Sequence, residues 1–193
     1  MKQVIIYLLL AGSFLFGNPA LAQIKYEREF KLKLSDVPPK AKDFVDACKF
    51  SKRVKWYKEE SEAGNSVEAK VREAGKFFSI EFGTDGELQD VELDKELEEL
   101  DVQIVEGIKT ELSKKFRKHR IQRVQIQWTG SLKAMLSLIQ TEQTDLPYTQ
   151  KYELIVKGKK DKRNALFEVL FDARLQIERI AEIKTRNTDN MDF

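Results

Sequence analysis

The run Lys76–Val91, KFFSIEFGTDGELQDV, decides the fold. Phe78, Ile80 and Phe82 alternate with Phe77, Ser79 and Glu81, the period-two pattern of a strand with two unlike faces. Gly83-Thr84-Asp85-Gly86 then reads as a hairpin turn, because Asp-Gly accepts the positive φ angles a tight reversal needs. Leu88, Val91 and Leu93 mark a returning strand, and their broken spacing predicts a bulge near Asp90.

Upstream, Val67, Ala69 and Val71 alternate with Glu68, Lys70 and Arg72, and Val54 and Trp56 with Lys55 and Tyr57. Glycine turns at Gly64 and Gly75 join these strands. Before them, Ser35-Asp36 offers a cap, Pro38-Pro39 suits a first helical turn, and Ala41, Phe44, Val45 and Cys48 follow at helical spacing. Ile24 to Leu34 alternates apolar residues with Lys and Glu, as in a strand with one wet face.

Downstream the pattern starts again. Val105, Ile108, Leu112 and Phe116 predict an amphipathic helix. Val124, Ile126 and Trp128, then Tyr152, Leu154 and Val156, then Phe167, Val169 and Phe171 predict three strands, and Leu175, Ile177, Ile180 and Ile183 close the series. Val54-Lys55-Trp56 matches Ile126-Gln127-Trp128 at an offset of 72, and Phe78–Phe82 matches Phe167–Phe171 at an offset of 89. The difference is an insertion of 17 residues near 130–147, where Ser131 can cap a short helix carrying Leu132, Met135, Leu136 and Ile139. The expected fold is therefore α+β in tandem duplicated units, 23–100 and 101–186, each one helix packed on an antiparallel β-meander, with a tail at 187–193. A pattern present in both halves is fold-determining, so Trp56 and Trp128 are expected in the core.

Residues 1–22 read as a signal peptide: Lys2, an uncharged apolar run Val4–Phe16, then Ala20-Leu21-Ala22 before Gln23. The apolar run is too short for a good membrane anchor, since a spanning helix needs about 20 apolar residues. Cleavage near Ala22-Gln23 predicts a periplasmic or secreted body with no integral membrane segment. That compartment permits disulfides, yet Cys48 is the single cysteine, so it is expected to be a buried core thiol.

The chain has 34 basic and 32 acidic residues in 193, and this balance argues against a nucleic-acid partner. One His (His119) and one Cys cannot make a zinc set, and neither metal nor cofactor is expected. The acid-rich run Glu87–Asp101 reads as a solvated face. The basic block Lys109–Arg123 reads as the wet side of a helix, with anionic lipid or polysaccharide as a second possibility. No nucleophile motif or phosphate loop is present, so no enzymatic activity is expected.

The string from Val54-Lys-Trp-Tyr-Lys-Glu-Glu through Val67-Glu-Ala-Lys-Val to Phe78-Ser-Ile-Glu-Phe-Gly-Thr-Asp-Gly-Glu-Leu-Gln-Asp-Val resembles the PepSY-like, or β-lactamase-inhibitor-like, proteins exported by Bacteroidetes-type bacteria. The second half keeps the closing hairpin but has Asp172-Ala-Arg174 in place of the Asp-Gly turn. The resemblance implies a domain that binds or restrains another protein. If the even-phase apolar residues face the helices, the other sheet face stays open. It would show Lys55, Tyr57, Lys70, Arg72, Phe77 and Ser79 in the first half, and Gln125, Gln127, Lys151, Glu153, Leu166 and Leu170 in the second. The expected function is non-enzymatic binding of a secreted or periplasmic protein or peptide on that face. The alternative is an envelope binder of a small molecule, anionic lipid or polysaccharide through the basic helix.

Overall fold

A computed structural model describes residues 23–25, 27–61, 64–160 and 163–184. The expected signal segment 1–22 and tail 187–193 lie outside these residues. The chain runs β1 (Gln23–Lys25), β2 (Glu27–Lys31), α1 (Pro39–Cys48), β3 (Lys55–Ser61), β4 (Gly64–Glu73), β5 (Lys76–Gly83), β6 (Leu88–Lys95), α2 (Val102–Lys115), β7 (His119–Gly130), α3 (Leu132–Thr141), β8 (Tyr148–Lys160), β9 (Arg163–Phe171) and β10 (Ile177–Ile183). All strands belong to one sheet, in the order β1-β10-β9-β8-β7-β6-β5-β4-β3-β2. Strands β2 to β10 are antiparallel throughout, and β1 adds in parallel to β10.

The expectation of two tandem helix-on-meander units is corrected by the β6–β7 ladder. Val91 pairs with Trp128, Leu93 with Ile126 and Lys95 with Val124, so the sheet runs unbroken past residue 100. A single core cluster takes side chains from all three helices and from strands β3 to β9. The physical reason is edge satisfaction: two separate meanders would each leave an unpaired row of N–H and C=O groups, and pairing β6 with β7 removes both.

Closure goes further. β1 and β2 stand at opposite ends of the strand order, yet one residue separates them in the chain. Laid flat, ten strands would hold their outer members about 43 Å apart. The sheet must therefore bend round until its two edges meet at this one segment. The three helices lie on the apolar face. The polar face is the inner one: Glu59 on β3 and Asp90 on β6 fall within electrostatic reach, although three strands apart.

The elements follow from the sequence. Pro38 and Pro39 start α1, which buries Ala41, Phe44, Val45 and Cys48. Burial pushes the Cys48 thiol up to about 12, so it is not a reactive nucleophile. Trp56 and Trp128 are both buried in the core. The insertion forms α3, where the Ser131 side chain accepts from the Ala134 amide at 3.3 Å and Ala134, Met135, Leu138 and Ile139 are buried.

The two hairpin turns solve one problem with different residues. In the first, Gly86 takes φ 82, and a Cβ there would stand 2.8 Å from Pro38 Cβ at the start of α1. In the second, Leu175 takes φ 61, and its Cδ1 would lie 2.5 Å from a Cβ on Gly107 in α2. The Asp172 carboxylate supports this less favourable turn by accepting from the Arg174 amide at 2.9 Å and the Gln176 amide at 2.7 Å.

Gly158 on β8 serves close approach. The Phe116 ring lies over it, 4.9 Å from the Phe167 ring, and a Cβ would meet Phe116 Cδ1 at 2.6 Å and Cε1 at 2.9 Å. Strand glycine is ordinarily unfavourable, so Gly→Ala would be expected to help. Here overpacking reverses the sign: Gly158→Ala should cost about 2 kcal/mol, read as a lower urea midpoint at unchanged m-value.

Candidate inner-face carboxylate site

The bulge after Leu88 creates the site. Phe82 pairs with Leu88 and Glu81 with Asp90, so Gln89 is the extra residue. Without it, Leu88 and Asp90 would share a face. With it, Leu88, Val91 and Leu93 reach the core while Asp90, Glu92 and Asp94 turn inward. The pairing then brings residues distant in sequence side by side. One row runs Lys55, Lys70, Ser79, Glu92, Gln127, Lys151, and the next runs Tyr57, Glu68, Glu81, Asp90.

Some inner carboxylates carry their own cation. The Lys70 ammonium lies 2.8 Å from Glu29 and 3.0 Å from Glu68. Arg123 reaches Asp94 at 2.9 Å, and Arg179 reaches Glu168 at 2.7 Å. Oxygens of Glu29, Glu59 and Glu68 lie close enough together to suit a metal ion. The Lys70 ammonium, however, already supplies positive charge between two of them.

Glu81, Asp90 and Glu92 differ. Among the described residues no lysine or arginine forms an ion pair with them. Glu92 accepts the Gln125 amide at 2.8 Å, and the Gln127 amide nitrogen stands between Asp90 at 3.4 Å and Glu92 at 3.5 Å. Asp90 Oδ1 is buried with no hydrogen-bond partner among the described residues. Burial first, and then the charges of Glu81, Glu153, Glu68 and Glu59, hold the Asp90 carboxyl well above the usual range. Glu92 is raised for the same reasons, with burial again foremost, followed by Glu153 and Asp90. Burial also raises Glu68, against the opposing pull of Lys70 and the Ser79 hydroxyl that donates to it. The strip therefore calls for a positive charge or a proton.

The face expected to stay open is curled inward, and several of its residues are occupied. Tyr57 is buried, with the Lys70 ammonium 5.2 Å from its ring centre. Phe77 is half-buried between the Arg72 and Arg123 guanidinium groups, at 5.7 and 5.8 Å. Gln125 and Gln127 hold Asp90 and Glu92. Leu166 and Leu170 are half-buried on β9, and Lys55 is exposed at the start of β3. Lys70 serves Glu29 and Glu68. Sequence reasoning missed Glu68, Glu81, Asp90 and Glu92. The solvated reading of Glu87–Asp101 holds for the exposed Glu87, Glu96, Glu98, Glu99 and Asp101, and is corrected for Asp90, Glu92 and Asp94. The available signal was an acid in the non-helix phase of each consecutive strand β4, β5 and β6.

No protein-family model matches this chain, and no curated protein matches it. Among solved structures it is similar to a DUF2874 family protein from Bacteroides ovatus, with a TM-score of 0.50 and 11% identity, over 76% of this chain and 89% of that one. The likeness is one of fold. No helix among the described residues is long and apolar enough to cross a membrane.

The raised carboxyls have a defined effect on stability. Groups whose proton affinity rises on folding favour the folded state at and below their unfolded pKa, and that contribution is lost as pH rises through the folded value. Stability should therefore fall as pH rises above the ordinary carboxylate range, with each tenfold change in proton affinity worth about 1.4 kcal/mol. Asp90→Asn with Glu92→Gln, which mimics the protonated strip, should flatten this slope and raise the urea midpoint at the alkaline end. An unchanged slope in the double variant would show that these groups are not the source.

Proposed function

We propose that this chain is a non-enzymatic binding protein, periplasmic or secreted, that takes a basic segment of a protein or peptide partner on the inner face of its sheet. The observation that carries this reading is the buried, unpartnered Asp90 Oδ1 beside Glu92, with no cation of the described residues opposite. A lysine or arginine from a partner would do for Asp90 and Glu92 what Lys70 does for Glu29 and Glu68. The PepSY-like resemblance of Val54–Val91 supports a binding role in an exported protein. The disposition of reactive groups supports the absence of catalysis: Ser79 donates to Glu68, Cys48 is buried among α1 core residues, and His119 begins β7 beside Phe116.

The test uses three labelled peptides of equal length, rich in Arg, Glu or Ser, and fluorescence anisotropy against the full chain. Only the Arg-rich peptide should bind at neutral pH. Asp90→Asn with Glu92→Gln should weaken it at least about tenfold, the loss expected for a charge-assisted bond. Equal binding of the Glu-rich peptide, or an unchanged affinity in the variant, would contradict the reading.

A further inference from the structure

The fold gathers a second charged region at the end of the sheet where α2 stops: Arg120, Lys157 and Lys159 share the polar-face phase of Lys151 and Glu153, and Lys115, Arg117 and Lys118 come from the end of α2 and its link to β7. Phe116 packs over Gly158, and the Lys159 amide donates to the Lys118 carbonyl at 3.1 Å. Arg120 pairs in register with Lys157. The end of α2, the start of β7 and the far end of β8 are thereby fastened together, although about 40 residues of chain separate Lys118 from Lys159. Lys115, Arg117, Lys118, Arg120, Lys157 and Lys159 are all exposed there. Among the described residues none of the six has an ion-pair partner. Neighbouring Lys114 does, with Glu111.

We propose that this end of the molecule is a docking surface for an anionic lipid bilayer. Three features favour a diffuse charged surface over a discrete ligand. The six side chains are solvent-facing, so they form no desolvated cleft of the kind that selects a small molecule. Four of the six are lysines, which act as mobile point charges and do not present the paired fork of arginine. The aromatic rings at this end are Phe116, which is buried, and His119, half-buried with its ring 6.3 Å from that of Phe116, so no fully exposed stacking platform for a nucleic-acid strand stands there among the described residues. Polybasic surfaces of this kind gain roughly fivefold in membrane affinity per lysine or arginine near the headgroups, and lose it as salt screens them.

The experiment is vesicle co-sedimentation of the full chain. One set of vesicles is phosphatidylcholine alone, and the other mixes phosphatidylcholine with phosphatidylglycerol two to one. The protein should partition more strongly into the anionic set, and added salt should abolish the difference. Reversing Lys115, Lys118, Lys157 and Lys159 to Glu should reduce the anionic preference by more than about a hundredfold. Lys52→Glu, an exposed residue far along the chain, should change it little. Thermal unfolding followed by circular dichroism shows that both variants fold. Equal partitioning into neutral and anionic vesicles would overturn the proposal. So would a preference that survives the fourfold reversal, or capture of a soluble polyanion such as heparin without capture of vesicles.

Discussion

The ten-stranded order ends in β1 and β2, which follow one another in the chain, and they pair with β10 and β3 respectively. Backbone N–H and C=O groups at an open edge remain unsatisfied or invite another chain. Because one residue joins β1 to β2, covering β10 at Ala181–Ile183 and β3 at Tyr57–Ser61 reduces that liability and forces the sheet to curl. Curling makes the two faces unequal. The outer face carries the aromatic and aliphatic residues, and three helices cover it. The inner face is crowded, so polar side chains that would be solvated on a flat sheet are drawn together.

This crowding turns ordinary surface residues into a strained electrostatic arrangement. Carboxylates from β4, β5, β6 and β8 converge, and only part of their charge is met by Lys70, Arg123 and Arg179. The Asp90–Glu92 pair is held by amides, which orient it without neutralising it. The bulge at Gln89 is the local device that aims the pair inward. Opposite charge is concentrated around the Lys118–Lys159 junction. A chain of nearly balanced composition is thus strongly segregated in space, and its net charge conceals this.

Much of the local structure was legible in the sequence. Alternation assigned Val67, Ala69, Val71, Phe78, Ile80 and Phe82 to one face, and all six lie in the core. The broken spacing after Leu88 marked the bulge. What alternation could not supply was long-range pairing. The similarity of Val54–Trp56 to Ile126–Trp128 suggested separate units, because a repeated pattern is silent on whether neighbouring edges join. Curvature was equally hidden. Glu68, Glu81 and Glu92 read as wet-face residues strand by strand, and only the pairing register of β4, β5 and β6 places them side by side. The second turn shows a related limit. Leu175 in a left-handed conformation carries no glycine signal, and its seat on Gly107 belongs to another element.

The proposed basic partner depends on Asp90 and Glu92 forming an inward strip short of positive charge. Carbon-detected NMR titration of their carboxyl groups, free and with an Arg-rich peptide, tests it directly. Both should titrate well above the ordinary carboxylate range in the free protein and move down when the peptide is bound. Ordinary values in the free protein, or values unmoved by saturating peptide, would contradict it.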